Sequence, residues 1–152
     1  MNPAPHMTTA VIVERESRFL MVEERSGGQI VYNQPAGHVE PGESILAAAR
    51  REALEETGWE VRLEHFLGFY TYLSPSNGVT YCRFCFTATP VRHLTTVLDQ
   101  DIIAAHWLDL EAIEGHQEKL RSPLVLECIH HYLAGRRYPL DLIHEFHLEP
   151  QG

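Results

Sequence analysis

The sequence predicts an α/β fold in which a mixed β-sheet is packed between helices. Three observations carry this reading. Short β-rich runs recur along most of the chain. Two helical segments, 44–57 and 122–135, carry helix start and stop signals. No Pro/Gly/Ser-rich linker, repeat or low-complexity stretch separates these elements, so helices and strands share one core. With 152 residues, 44% of them hydrophobic, residues 1–152 read as a single domain.

The elements follow in order. Residues 8–24, TTAVIVERESRFLMVEE, read as two strands joined by a polar turn at Glu14 to Ser17. Residues 25–37, RSGGQIVYNQPAG, read as a Gly-containing loop, a short strand and a Pro-Ala-Gly turn. The first helix spans 44–57 and stops at Gly58. EVRLEHFLGFYTYLS (60–74) and VTYCRFCFTATPV (79–91) are β-rich and are separated by the turn PSNG. IIAAHWLDL (102–110) is a further strand, followed by a helical turn at EAIEG. SPLVLECIHHYLAG (122–135) has Ser122 as N-cap, Pro123 at N1 and Gly135 past the end, so a second helix is expected. A strand-and-helix tail, RRYPLDLIHEF, follows.

The formal net charge of −9 argues against a nucleic-acid polymer as partner, because such a partner needs a basic face. An anionic small molecule remains compatible if a cation mediates. Lys119 is the only lysine, so the basic residues are almost all arginine. That bias suits bidentate phosphate contacts and equally suits a compositional bias of the genome. Cys82 and Cys85 form a C-x-x-C within a strand-like run. At period 2 they point to opposite faces, which speaks against a metal or redox motif. Residues 1–10 lack a basic segment followed by an apolar one, and no run approaches the ~18 apolar residues a membrane span needs. A cytoplasmic protein with no membrane partner is expected, a monomer as the simplest state.

Residues 37–59 pose an electrostatic problem. Glu52, Glu55 and Glu56 crowd the C-terminal turns of the first helix, where the macrodipole disfavours acids by some tenths of a kcal/mol each. With Glu52 at zero and ~100° per residue, Glu55 lies near −60° and Glu56 near +40°. Ile45, Ala48 and Ala49 share that sector, so an apolar stripe becomes acidic along its length. Converging carboxylates at the edge of a packed helix are normally neutralised by metal, and an all-oxygen donor set suits Mg²⁺, with Mn²⁺ as substitute. A solvated acidic surface patch is the alternative that EALEE alone would support.

The same stretch resembles the Nudix box, G-x5-E-x7-R-E-U-x-E-E-x-G-U, with U a bulky apolar residue. Gly37, Glu43, Arg51, Glu52, Glu55, Glu56 and Gly58 occupy its fixed positions without insertion, Trp59 fills the last U, and the smaller Ala53 fills the first. Such a match arises by chance on the order of 10⁻⁹ to 10⁻⁸ times per starting position. The resemblance implies a Nudix α/β/α sandwich and a metal-dependent hydrolase of phosphoanhydrides. It implies Glu52, Glu55, Glu56 and the Gly37 carbonyl as metal ligands, Glu55 or Glu52 as the base, and Arg51 with Glu43 as an orienting pair. A further acid is expected from DQDIIAAHWLDL, with Asp101 the first choice and Asp99 the second.

YNQPAGHVEPGES and LRSPLVLECIHHYLAGRRYPLDLI (120–143) resemble the NudJ-type subfamily of bacterial Nudix phosphatases. That resemblance implies Mg²⁺-dependent release of orthophosphate from nucleoside tri- and diphosphates and from hydroxymethylpyrimidine diphosphate. Gln34 and Asn33 precede the Gly37 turn and are candidates to reach a phosphate or base. Tyr32 and Tyr81 are candidates to stack on a planar ring, and Arg25 and Arg83 to bind phosphate. Arg121 and Ser122 open the second helix, where anions are favoured. His38 adjoins the metal turn, and the other histidines suggest no ligand role. Two alternatives are a diphosphatase for ADP-ribose or nucleoside diphosphate sugars, and a non-catalytic Nudix-fold nucleotide-binding module.

Overall fold

A computed structural model of the chain describes residues 3–146. Strand β1 (His6–Arg15) turns into β2 (Arg18–Ser26) through Glu16 and Ser17. Both turn residues have positive φ, 52° and 62°, the sign at both central positions that matches a type I′ turn to the twist of its strands. β3 (Gln29–Asn33) and β4 (Ala36–His38) follow, then helix α1 (Ile45–Thr57). The long hairpin of β5 (Trp59–Leu73) and β6 (Thr80–His93) leads through a loop to β7 (Ile102–Leu108), α2 (Leu110–Gly115) and α3 (Leu124–Leu133).

The strands form one seven-stranded sheet along the path β3-β2-β1-β6-β5, with β4 beside β1 and β7 beside β2. β1 and β6 run parallel, from His6 opposite Tyr81 to Val13 opposite Ala88, and the other pairings are antiparallel. The β1–β2 ladder is short, pairing Glu14 with Phe19 and Arg15 with Arg18. Further along, β1 pairs with β4 and β2 with β3. The segment from Asn33 to Gly37 therefore crosses the fork between the two, and the candidate site lies there.

β1 shows why the sheet needs a helix on each face. Val11 and Val13 belong to the core under α1, with Ile45, Ala49, Ala53 and Phe86. Ala10 and Ile12 belong to the core under α3, with Met21, Cys85, Val125 and Ile129. A strand apolar at successive positions is buried on both sides, and each such valine or isoleucine contributes about 1.5–3 kcal/mol.

Each helix end has a local cause. The Ser44 hydroxyl accepts from Ala47 N, and Gly58 closes α1 at φ 78° with its N–H on Leu54 O. No other residue would fit at Gly58, because a Cβ there would collide with Thr95 O. The Ser122 hydroxyl accepts from Leu124 N at 3.2 Å, and Pro123 already has helical dihedrals. Gly135, at φ 84°, ends the segment, with Arg136 N reaching His131 O at 3.2 Å.

Two sequence expectations change. The Pro-Ala-Gly turn is the short strand β4, because its backbone groups find β1 at Thr8–Ala10. The tail is a single bridge between Tyr138 and Phe66 and a 3-10 turn at Leu140–Leu142. Pro139 interrupts any longer ladder there. Among the described residues, no helix is long and apolar enough to cross a membrane.

Candidate active site

α1 packs its small-residue face on the sheet, with Ala48, Ala49 and Ala53 each at most 1% exposed. This close seating carries the acids at its C-terminal end into the fork. Arg51 is their hub. Its Nε and Nη2 donate to Glu43 at 2.7 and 3.0 Å, a bidentate pair. Its Nη1 donates to Glu52 at 2.9 Å and Glu55 at 3.0 Å, and Nη2 also reaches the His38 carbonyl at 3.0 Å. The Glu43–Arg51 pair expected from the sequence is therefore present, and it also grips the chain next to Gly37. The hydrogen bond from Arg51 holds the Glu43 carboxyl below its usual range.

Gly37 lies directly against Glu52, since a Cβ at Gly37 would land on the Glu52 carboxylate. Close backbone approach is therefore the reason for glycine here. One residue earlier, Ala36 N donates to Glu56 Oε1 at 2.9 Å. β4 is thus fastened to α1 through the acids themselves.

Carboxylate oxygens of Glu52, Glu55 and Asp99 lie within 4.8 Å of one another. Of the two downstream acids expected from the sequence, Asp101 first and Asp99 second, Asp99 is the one beside Glu52 and Glu55. Asp99 joins the cluster because its N–H is bonded to Glu55 O at 3.0 Å, which pins it to the end of α1. Asp101 lines the neighbouring cleft, with its carbonyl accepting from Arg25 N at 2.9 Å. Glu56 stands apart from the three clustered oxygens. It is 8% exposed and also lines the cleft.

One guanidinium does not balance these carboxylates. Burial, followed by the nearness of Glu55 and Asp99, pushes the Glu52 carboxyl up to about 7 against the opposing pull of Arg51. Burial pushes Glu56 up to about 9, with Glu24, Glu52 and Asp99 adding to the effect. A cation at this cluster would relieve both, and the all-oxygen donor set fits a hard one.

Beside the cluster opens a cleft of about 410 Å³ that includes Glu24, Arg25, Glu56, Asp99, Asp101 and Arg121. Arg25 is exposed on its rim, as a phosphate-binding side chain requires. Sequence reasoning missed Glu24, which is 7% exposed and accepts from Arg121 at 2.6 Å. Its signal was strand parity: Leu20, Val22 and Glu24 alternate on β2, so the third should be buried like the first two.

Other sequence candidates sit elsewhere. Gln34 and Arg83 are 1% and 6% exposed and face inward rather than toward a substrate. Arg83 donates to Gln34 at 2.8 Å and to Asn33 at 3.1 Å, and Gln34 donates to Val125 O at 2.6 Å. They tie the residues just before Gly37 to α3. Tyr32 has one ring face stacked on His116, with centroids 4.4 Å apart. Tyr81 packs edge-on against His6 and His38, and its hydroxyl accepts from Asn77 at 2.9 Å.

The NUDIX domain model matches residues 4–127 of the chain. The chain belongs to the Nudix family. Phosphatase NudJ of Escherichia coli strain K12 is 40% identical over 144 residues, which cover 93% of this chain and 92% of that protein. A Nudix hydrolase from Nitrosomonas europaea superposes with a TM-score of 0.91 at 44% identity, covering 93% of this chain and 97% of that one. The Nudix domain of Shewanella oneidensis NrtR, complexed with ADP ribose, superposes with a TM-score of 0.69 at 14% identity and shares the fold. Together with the box acids, these matches make the protein a Nudix-type hydrolase of small phosphoanhydride compounds, an enzyme family that uses divalent metals.

Proposed function

We propose that the protein is a Mg²⁺-dependent phosphatase of nucleoside di- and triphosphates and of hydroxymethylpyrimidine diphosphate, releasing orthophosphate. The observation that carries it is the convergence of Glu52, Glu55 and Asp99 within 4.8 Å beside a cleft rimmed by Arg25 and Arg121. The 40% identity to Phosphatase NudJ over nearly the full length of both chains supports the phosphatase reading. Three free cysteines, two of them buried, suit a reducing cytoplasm.

Mg²⁺ would be held by Glu52, Glu55 and Asp99, with the Gly37 carbonyl and Glu56 at the margin, and would supply charge neutralisation and an acidified water. The chain's own residues do the rest. Arg51 keeps Glu52 and Glu55 in register through one guanidinium and fixes Glu43 behind them. Either Glu52 or Glu55 takes the proton from the attacking water. Arg25 and Arg121 meet the phosphate charge that a protein of net charge −9 would otherwise repel. Asp101 faces the same cleft and holds the Arg25 backbone.

A substrate panel with Mg²⁺ tests this, with orthophosphate and pyrophosphate measured separately. Orthophosphate from a nucleoside diphosphate and from hydroxymethylpyrimidine diphosphate is the expected result. Preferential cleavage of ADP-ribose would replace this substrate class with the diphosphatase reading. No turnover of any diphosphate with Mg²⁺ or Mn²⁺ would leave only nucleotide binding.

A further inference from the structure

The sheet face opposite α1 holds a second charged cluster that the reaction does not use. Arg83, on β6, is 6% exposed, and among the described residues no carboxylate pairs with it. Its guanidinium meets two amide oxygens, Gln34 Oε1 at 2.8 Å and Asn33 Oδ1 at 3.1 Å, and one sulfur, Cys128 Sγ at 3.8 Å. Amide dipoles satisfy hydrogen bonds but carry no net charge. A full positive charge in a dry interior is costly unless an anion neutralises it. Only the sulfur can become one.

The groups around that sulfur favour the anion. Cys128, on α3, is 0% exposed and packs in the same core as Cys85. The neighbouring Cys85 thiol, the Arg83 guanidinium and the Tyr70 hydroxyl of β5 together lower the Cys128 thiol despite its burial. Cys85 moves the opposite way, driven up by burial and by its sulfur neighbour, so it keeps its proton. Burial likewise keeps Tyr70 protonated, opposed by Arg136 just beyond α3. The Tyr70 hydroxyl also meets His131 Nδ1 at 2.7 Å, and His131 Nε2 meets Glu127 at 2.9 Å. This line of groups gives the buried sulfur a path for exchanging its proton with solvent.

We propose that Cys128 is carried as a thiolate, the counter-ion of buried Arg83, and that this ion pair positions the Asn33–Gly37 segment under the acidic cleft. Cys128 is thus a positioning residue, acting through Arg83 on Asn33 and Gln34. Three residues past Gln34, Gly37 lies against Glu52, and Ala36 between them holds Glu56. The segment is fixed from below by a cation and from above by acids.

The charge state is tested on the metal-free full chain with ¹³C-labelled cysteine. The Cys128 Cβ resonance is followed from about pH 5 to about pH 9, with thiolate absorbance near 240 nm in parallel. The expected midpoint for Cys128 lies below the ~8.5 of an ordinary thiol, moving up by more than one unit in Arg83→Met and upward in Cys85→Ala. A Cys128 that stays protonated up to about pH 8.5, or a midpoint unmoved in Arg83→Met, overturns the ion pair. The wild-type titration decides this even if a variant fails to fold.

The positioning half rests on the reading of Gly37 as part of the cation site, whereas the titration does not. It is read as the Mg²⁺ concentration that gives half of the metal-induced Tm rise. Cys128→Ser should raise that concentration roughly 3–10-fold, and Arg83→Met/Cys128→Ser should recover part of the lost stability, since no charge is then left unpaired. An unchanged Mg²⁺ titration in Cys128→Ser overturns the positioning role and leaves the thiolate intact. If no chain, wild type included, responds to Mg²⁺, the positioning claim falls together with the cation-site reading.

Discussion

The two long helices flank the same sheet and face opposite electrostatic problems. α1 gathers Glu52, Glu55 and Glu56, with Asp99 nearby, and among the described residues Arg51 pairs with Glu52 and Glu55. Among the described residues, α3 covers a single buried cation, Arg83, with no carboxylate to meet it. The first cluster opens on a cleft, so an outside cation can complete it. The second is sealed, so its compensating charge must come from the chain. Surplus charge next to solvent marks a place for a ligand, whereas surplus charge in the interior marks a structural pair.

The comparison breaks most directly at the acids. Glu52→Gln and Glu55→Gln should each lower kcat by about 100-fold or more with Mg²⁺ present, because each removes a ligand or the proton acceptor. The larger loss identifies the base. Near wild-type turnover in both would mean that the α1 cluster is only a solvated acidic patch.

A smaller effect separates the clusters by pH. Burial pushes the Glu52 and Glu56 carboxyls up to about 7 and about 9 in the folded protein, above the ~4.3 of an unfolded chain. The folded state therefore holds more protons than the unfolded one, and stability falls as pH rises between those values. Metal-free Tm should decline by several degrees from about pH 5 to about pH 9, and added Mg²⁺ should restore most of it at the alkaline end. A metal-free Tm flat across that range would show that the acids are already compensated.

Glu24 tests whether the cleft wall follows the same rule. Arg121→Met leaves a buried carboxylate beside Glu56 without its 2.6 Å partner. Urea unfolding should show a loss of about 1–3 kcal/mol, and adding Glu24→Gln should recover much of it. Equal losses in the single and double variants would mean that Arg121 acts through packing alone.

Helix capping gives the smallest effect and serves as the control. Ser44 caps α1 through Ala47 N, and the Ser122 hydroxyl accepts from Leu124 N at the start of α3. Ser44→Ala and Ser122→Ala should each cost about 1 kcal/mol, seen as similar Tm shifts with kcat unchanged. A loss of kcat in Ser44→Ala alone would mean that the N-terminal end of α1, as well as its acidic end, controls the site.

Much of this was legible in the chain. Capping residues and alternation located both long helices and the main strands, because those signals act within a few residues of themselves. The Gly37–Trp59 spacing located Arg51, Glu43 and the three glutamates, since a helix of known pitch converts spacing into direction. β4 was read as a turn, because pairing with β1 across about 28 residues leaves no local trace. Arg83 was read as a phosphate ligand, although the same arginine in a strand can face solvent or core.

By itself, then, the sequence determined the α/β class, the two long helices and the acidic face whose surplus charge calls for a hard cation. These follow from periods, caps and net charge, which are properties of neighbouring residues. Only the tertiary structure decided that Asp99 rather than Asp101 closes on Glu52 and Glu55, that Glu24 backs the cleft, and that Arg83 is sealed against Cys128. Those outcomes depend on which groups from distant segments share a dry or wet space. Burial sets the energy of a charge, and burial is not a local property of the chain.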